Sequence, residues 1–262
     1  MKIDLTGKRA VVCGSSQGIG RAAAIQLASC GASVVLIARN EESLRKVLRE
    51  LPATKKQNHN FIVADFSEPE ILKVKLHNFV SENPPVHILV NNTGGPKAGE
   101  AISAGTEEFI QTFSNHLICN HILVQALAEG MKKEKYGRII NIISTSVKQP
   151  LKGLGVSNTI RGAVANWAKT LAGELGQFGI TVNNVLPGAT KTERLFSLFK
   201  NKAQATGRSE EEVEKEWLRE IPAGRFAEPE ELAYAVAFLA SEYAGFINGI
   251  NLPVDGGRTS CL

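Results

Sequence analysis

The chain has 262 residues, 43% of them hydrophobic and 21% charged, with a formal net charge of +4. That length suits one large α/β domain, and the hydrophobic share supplies a core and excludes a disordered chain. The positive charge is mild and scattered, which argues against nucleic acid as a partner, and no apolar run has the length of a membrane span. The N-terminus lacks the charged-then-apolar layout of a signal peptide. Cys13, Cys30, Cys119 and Cys261 are far apart and show no metal-ligand spacing, so reduced thiols in a cytoplasmic protein without a metal are expected.

Residues 10–12 read as a short buried strand, Gly14, Gly18 and Gly20 punctuate a turn, and residues 21–28 are apolar at helical spacing. Strand, glycine turn and helix present bare backbone N–H groups and a positive helix end to a phosphate, with Ser16, Gln17 and Ile19 inside the turn. A glycine turn without a ligand is the alternative. Gly31 suits the end of this helix, residues 32–38 form a nearly continuous apolar strand, and residues 41–51 an amphipathic helix. A third strand at 61–64 ends on Asp65 and Phe66, and Ser67 is placed to cap the next helix. The Pro84-Pro85 break leads to a fourth strand at 86–90, followed by Asn91-Asn92-Thr93-Gly94-Gly95.

A long helical zone covers 106–133, a fifth strand 138–143, and a helix 156–175. A sixth strand at 180–185 precedes Pro187-Gly188, a charged helix-prone insertion follows from 193 to 220, and a helix at 230–240 leads to a last strand at 249–254. Strand-like runs alternating with helices call for a doubly wound α/β fold with a seven-stranded parallel sheet covered on both faces. Ligands of such sheets sit beyond the carboxyl ends of the strands. The stretches there, at 14–20, 39–40, 65–66, 91–95, 144–146 and 187–192, are the polar and glycine-rich ones.

The end of the second strand points to the cofactor. An acid there accepts from a ribose 2′-hydroxyl, whereas a cation pairs with a 2′-phosphate. Ala38 offers no carboxylate, and Arg39, followed by Asn40, brings a guanidinium fork, so NADP(H) is predicted. A surface pairing of Arg39 with Glu41 or Glu42 is the alternative. Asp65 and Phe66 would flank the adenine, or Asp65 serves the turn alone.

With these residues in place, the chain resembles the short-chain dehydrogenase/reductase family over nearly its whole length. The residues that carry the resemblance are Gly14-x-x-x-Gly18-Ile19-Gly20, Asn91-Asn92-Thr93-Gly94, Ser144, Pro187-Gly188 with Thr192, and Asp255-Gly256-Gly257. The segment 228–255 is similar to bacterial 3-oxoacyl-[acyl-carrier-protein] reductases. The resemblance implies a single Rossmann-type domain over 1–262 with a helical substrate lid at 193–221. Asn92, Thr93 and Gly94 would form the floor beneath the cofactor, and Pro187, Gly188, Thr190 and Thr192 the nicotinamide side. It further implies hydride transfer to a small-molecule carbonyl or acyl thioester, and a homo-oligomer, tetramer or dimer, with contacts from the long helices and the apolar segment 246–254.

The family's serine, Tyr-x-x-x-Lys and assisting asparagine are matched unevenly. Ser144 fits the serine. The tyrosine and lysine positions hold Ser157 and Arg161, and the tyrosine itself is absent. The asparagine position falls on His116, or on Asn115 if the turn around 134–137 is one residue longer. A serine hydroxyl is a far weaker acid than a phenol and reaches less far, and Arg161 can hold ribose hydroxyls but stays charged. Two outcomes follow: reduction with a substitute proton donor, either His116 or a water held by Ser157 and Ser144, or a catalytically silent dinucleotide-binding or regulatory protein. Ser157 also suits a helix cap, and His116 a packed helix histidine. In the lid, Leu195, Phe196, Leu198 and Phe199 offer apolar surface to substrate or core, and Lys148 and Lys152 could meet an anion.

Overall fold

The computed structural model describes residues 2–261. Seven parallel strands form one sheet in the order β3-β2-β1-β4-β5-β6-β7. They are β1 (Arg9–Cys13), β2 (Ser33–Ala38), β3 (Asn60–Val63), β4 (Ile88–Asn91), β5 (Gly137–Ile142), β6 (Ile180–Pro187) and β7 (Asn251–Val254). Helices α1 (Gly18–Ser29), α2 (Glu41–Glu50) and α3 (Pro69–Glu82) alternate with the first strands. After β4 come α4 (Thr106–Phe113) and α5 (Cys119–Glu134), and after β5 comes α6 (Gly155–Leu175). Beyond β6 lie α7 (Glu193–Thr206), α8 (Glu210–Arg219) and α9 (Pro229–Ala240).

The two faces of the sheet follow from the period of two along each strand. Ala10 and Val12 of β1 pack with Val34 and Leu36 of β2 into a core shared with Leu27 of α1, Leu44 of α2 and Leu232 of α9. The intervening Val11, Cys13, Val35 and Ile37 pack on the other face against Leu72 of α3, Leu123 of α5 and Leu171 of α6. Burial on both faces is why these strands read as unbroken apolar runs rather than alternating ones. The chain adds β2 and β3 on one side of β1, then returns to place β4 on the other. That reversal opens a crevice between β1 and β4 at their carboxyl ends.

Several local expectations shift. The helix after β1 begins inside the glycine turn at Gly18, and Ser67 caps nothing: Glu68 is the N-cap of α3. The zone at 106–133 is helical throughout, but residues Ser114–Ile118 form a π turn between α4 and α5. Helix α6 starts at Gly155 with Leu154 as N-cap, so Ser157 lies inside its first turn and does not cap it.

A row of asparagines crosses the site half of the sheet. Asn91 Nδ2 donates to Asn141 Oδ1 (2.8 Å), Asn141 Nδ2 to Asn184 Oδ1 (2.9 Å), and Asn184 Nδ2 to Asn251 Oδ1 (2.8 Å). These residues are direct register partners on β4, β5, β6 and β7. A buried amide needs its partners. Asn141→Leu would orphan the Asn91 donor and the Asn184 acceptor together, and we expect a loss of about 2–4 kcal/mol in urea unfolding with an unchanged m value; a loss below about 0.5 kcal/mol would show that the row does not stabilise the sheet.

Candidate active site

A cavity of about 740 Å³ runs along the carboxyl ends of the strands. At one end lie Gly14, Ser16, Gln17, Gly18 and Ile19 of the first turn, with Arg39, Asn40, Asp65 and Phe66 beside them. Asn92, Thr93 and Gly94 line the middle, opposite Pro187, Gly188, Thr190 and Thr192. Asn115, Ser144, Ser157 and Arg161 close the far end. Of the residues assigned from the sequence to the cofactor or to the catalytic group, only Gly20 and His116 are missing from this wall.

Gly20 has a packing task. A Cβ there would overlap the Gly14 carbonyl oxygen and stand 2.7 Å from Asn92 Nδ2, so only glycine lets α1 seat against the turn. Gly14 itself has φ +57°, and a Cβ on it would lie 2.6 Å from the Asn92 carbonyl oxygen. Helix α1 has no side-chain cap and no acid in its first turn. Its leading amides therefore face the cavity with their positive end unneutralised, which suits a diphosphate. Helix α2 differs, because Asn40 Oδ1 accepts from Ser43 N at 2.8 Å and caps it.

Arg39 remains 78% exposed along its side chain and makes one loose ion pair, Nη1 to Asp65 at 3.9 Å. Glu41 is taken by Arg45 at 2.6 Å instead, so the alternative pairing with Glu41 or Glu42 does not form. An exposed pair of that length contributes little, which leaves the guanidinium free to hold a phosphate. Asp65 also accepts from Ser67 N (2.9 Å), so it shapes the turn and lines the cavity at once.

In the far half, Ser144 Oγ accepts from Ser146 N at 3.1 Å. Its own proton is then available to a ligand oxygen. Ser157 and Arg161 are one helical turn apart on α6 and face the same space. Arg161 is 8% exposed, donating from Nη1 to the Ile142 carbonyl (2.8 Å) and from Nη2 to the Thr93 carbonyl (3.3 Å). Burial first, and the Arg194 charge second, push its pKa down to about 10, so it stays cationic at neutral pH. Asn115, oriented to satisfy its neighbours, donates from Nδ2 to the Phe66 carbonyl at 2.8 Å. Asn115 and His116 both lie in the π turn: Asn115 is on the wall and His116 is turned inward, 3% exposed. Burial, with the Arg161 charge second, pushes the His116 pKa down to about 2.

Lys148 and Lys152 lie off the wall, while Arg194, Leu198, Trp217 and Arg258 lie on it. Leu195, also on the wall, packs with Phe199, Val213 and Phe226 in a small separate core, and Phe196 points to solvent at 52% exposure. Arg194 and Arg258 carried no sequence signal beyond their charge. Only the folded chain brings α7 and the C-terminal segment over the strand ends. Among the described residues no group of His, Cys, Asp and Glu is placed to hold a metal, and no helix is long and apolar enough to cross a membrane.

Residues 14–259 match the family model described as enoyl-(acyl carrier protein) reductase. The chain is 34% identical over 255 residues to the 3-oxoacyl-[acyl-carrier-protein] reductase FabG of Rickettsia bellii (strain RML369-C), covering 97% of this chain and 98% of that one. It is 28% identical over 259 residues to the NADPH-dependent reductase BacG of Bacillus subtilis (strain 168), covering 98% and 100%. Its fold is similar to the crystal structure of L-sorbose reductase from Gluconobacter frateurii complexed with NADPH and L-sorbose. The TM-score is 0.92 at 31% identity, and all of both chains is covered.

A histidine neutral when folded and titrating near 6.5 when unfolded stabilises the fold fully above that pH, and its contribution falls as pH drops below it. The His116 ring resonances should accordingly stay unchanged in an NMR titration from about pH 8 to pH 5; an inflection near neutrality would restore His116 as an acid–base candidate.

Proposed function

Since the chain belongs to the short-chain dehydrogenase/reductase family, we propose that it is an NADP(H)-dependent oxidoreductase that reduces a carbonyl, of the 3-oxoacyl or a similar class. The observation that carries this reading is one continuous cavity, with the uncapped start of α1 and Arg39 at one end and Ser144 with Arg161 at the other. The relatives named as an oxoacyl reductase and as NADPH-dependent support it.

The residues present fit the dinucleotide. The glycine turn and the leading amides of α1 would hold the diphosphate, and Arg39 the 2′-phosphate. Asp65 would accept from the adenine amino group and Phe66 form its wall. Asn92, Thr93 and Gly94 would lie beneath, Pro187, Gly188, Thr190 and Thr192 would flank the nicotinamide, and Arg161 would hold its ribose. When bound, NADPH supplies a hydride to the carbonyl carbon.

This chain's own residues then serve the oxygen. Ser144 donates a hydrogen bond to the carbonyl oxygen and stabilises the charge that develops there. Arg161 adds positive potential from a fixed position, held by the Ile142 and Thr93 carbonyls. Ser157 stops short of where a phenol oxygen would reach, so a water held between Ser157 and Ser144 relays a proton from solvent to that oxygen. His116, buried and neutral, is unsuited to that task. Asn115 anchors the π turn to the Phe66 carbonyl and keeps the far wall in place. Residues 193–221 act as the substrate lid, and the fully exposed Phe246 suits burial in a homo-oligomer.

The test is NADPH oxidation against a panel of ketones, free oxo acids and 3-oxoacyl thioesters, with NADPH binding followed by fluorescence. Turnover is expected with at least one class, and Ser144→Ala should lower kcat/KM about 100-fold or more with NADPH affinity kept. Tight NADPH binding with no turnover across the panel, or full activity in Ser144→Ala, would overturn the reading.

A further inference from the structure

Two guanidiniums converge on one loop at the substrate end of the cavity. Arg161 Nη2 donates to the Thr93 carbonyl at 3.3 Å, and Arg194 Nη2 donates to the Pro96 carbonyl at 2.6 Å. Gly95 between them leaves the room: a Cβ there would stand 3.2 Å from Arg194 Nη2. Both side chains line the cavity, and both are withdrawn from water, Arg161 buried and Arg194 half-buried. Their acceptors are neutral peptide carbonyls, and neither guanidinium pairs with a carboxylate among the described residues. Arg258, on the same wall, differs: it pairs with Glu220 and lies 5.0 Å from the Trp217 ring centre.

Two like charges held on one loop oppose each other, and an anion between them removes the conflict. Each fork keeps N–H groups that the peptide carbonyls do not use. The diphosphate already has its place at the glycine turn, and the carbonyl of the substrate has its place at Ser144. The unclaimed anion position lies between them, beside the Thr93–Pro96 loop.

We propose that the substrate is an oxo acid whose free carboxylate is held by Arg194 beside Arg161 while its carbonyl faces Ser144. This rests on the reductase reading above, and it makes Arg194 a specificity-determining residue. The anion could instead come from the cofactor's diphosphate, and the experiment separates the two sources.

The probes are acetoacetate and its neutral methyl ester, titrated calorimetrically into the protein saturated with NADP⁺, in the wild type and in Arg194→Gln. NADPH affinity is measured in parallel on both proteins. Acetoacetate is expected to bind the wild type about 10-fold or more tightly than the ester. Arg194→Gln should abolish that preference and leave NADPH affinity unchanged. The wild-type comparison needs no variant, so a folding defect in Arg194→Gln does not blunt it. Equal or tighter binding of the ester to the wild type overturns the proposal, as does an Arg194→Gln variant that loses NADPH affinity, which assigns the guanidinium to the cofactor. Ester reduced as well as acid would keep the reductase reading and overturn the oxo acid. Acid-selective binding without any NADPH oxidation would uphold the anion site and overturn the reductase reading.

Discussion

The side-chain amide of Asn92 holds the molecule's working end together. Its Nδ2 donates to the carbonyls of Cys13 and Gly14, at 3.3 and 3.2 Å, and so ties the end of β1 to the end of β4 across the crevice. Gly20 can seat α1 only because that turn is pinned where it is, and the amides of α1 then point into the cavity. The next residue back, Asn91, starts the amide row that continues through Asn141 and Asn184 to Asn251. Side-chain amides thus link β1, β4, β5, β6 and β7 just below the site. Gly94, Ser144 and Pro187 each follow an asparagine of that row by the same short step, so the row sets the level from which the site residues rise.

The charge pattern divides the cavity by task. Arg39 is exposed and loosely paired, as befits a group that must meet a phosphate at the rim. Arg161 is buried and fixed by two peptide carbonyls, so its charge is delivered without reorganisation when charge develops on a substrate oxygen. An arginine at this position keeps a permanent cation but cannot relay a proton, and the neighbouring serine cannot match a phenol as an acid. In the reaction proposed above, the cation and the hydroxyls would therefore act separately: potential from Arg161, hydrogen bonding from Ser144, and proton delivery through water.

Much of the fold was legible because strands buried on both faces must be apolar throughout, and because glycine turns and polar stretches fall after their ends. One half of the cavity wall was legible for the same reason: Gly14, Gly18, Arg39, Asp65 and Asn92 are local to those ends. Three features were hidden for physical reasons. The asparagine row depends on strand order and register, which no local pattern reveals. Asn115 and His116 are neighbours within a π turn, too small a change in period to read from the sequence, so which of them lines the cavity stayed open. Arg194 and Arg258 reach the cavity from segments that fold over it late in the chain, whereas the nearer lysines, Lys148 and Lys152, stay off the wall. Gly20, placed in the glycine turn by its spacing, lies off the cavity wall, and its missing side chain makes room for backbone.

The most direct test is to follow the hydrogen itself. With NADPH deuterated at the transferable C4 position and a carbonyl compound that the protein turns over, product analysis by mass spectrometry and NMR should find deuterium on the former carbonyl carbon, one per molecule of NADPH consumed. Product without that label, or NADPH consumed with the carbonyl left intact, would contradict a cavity built to bring a nicotinamide ring to Ser144 and Arg161.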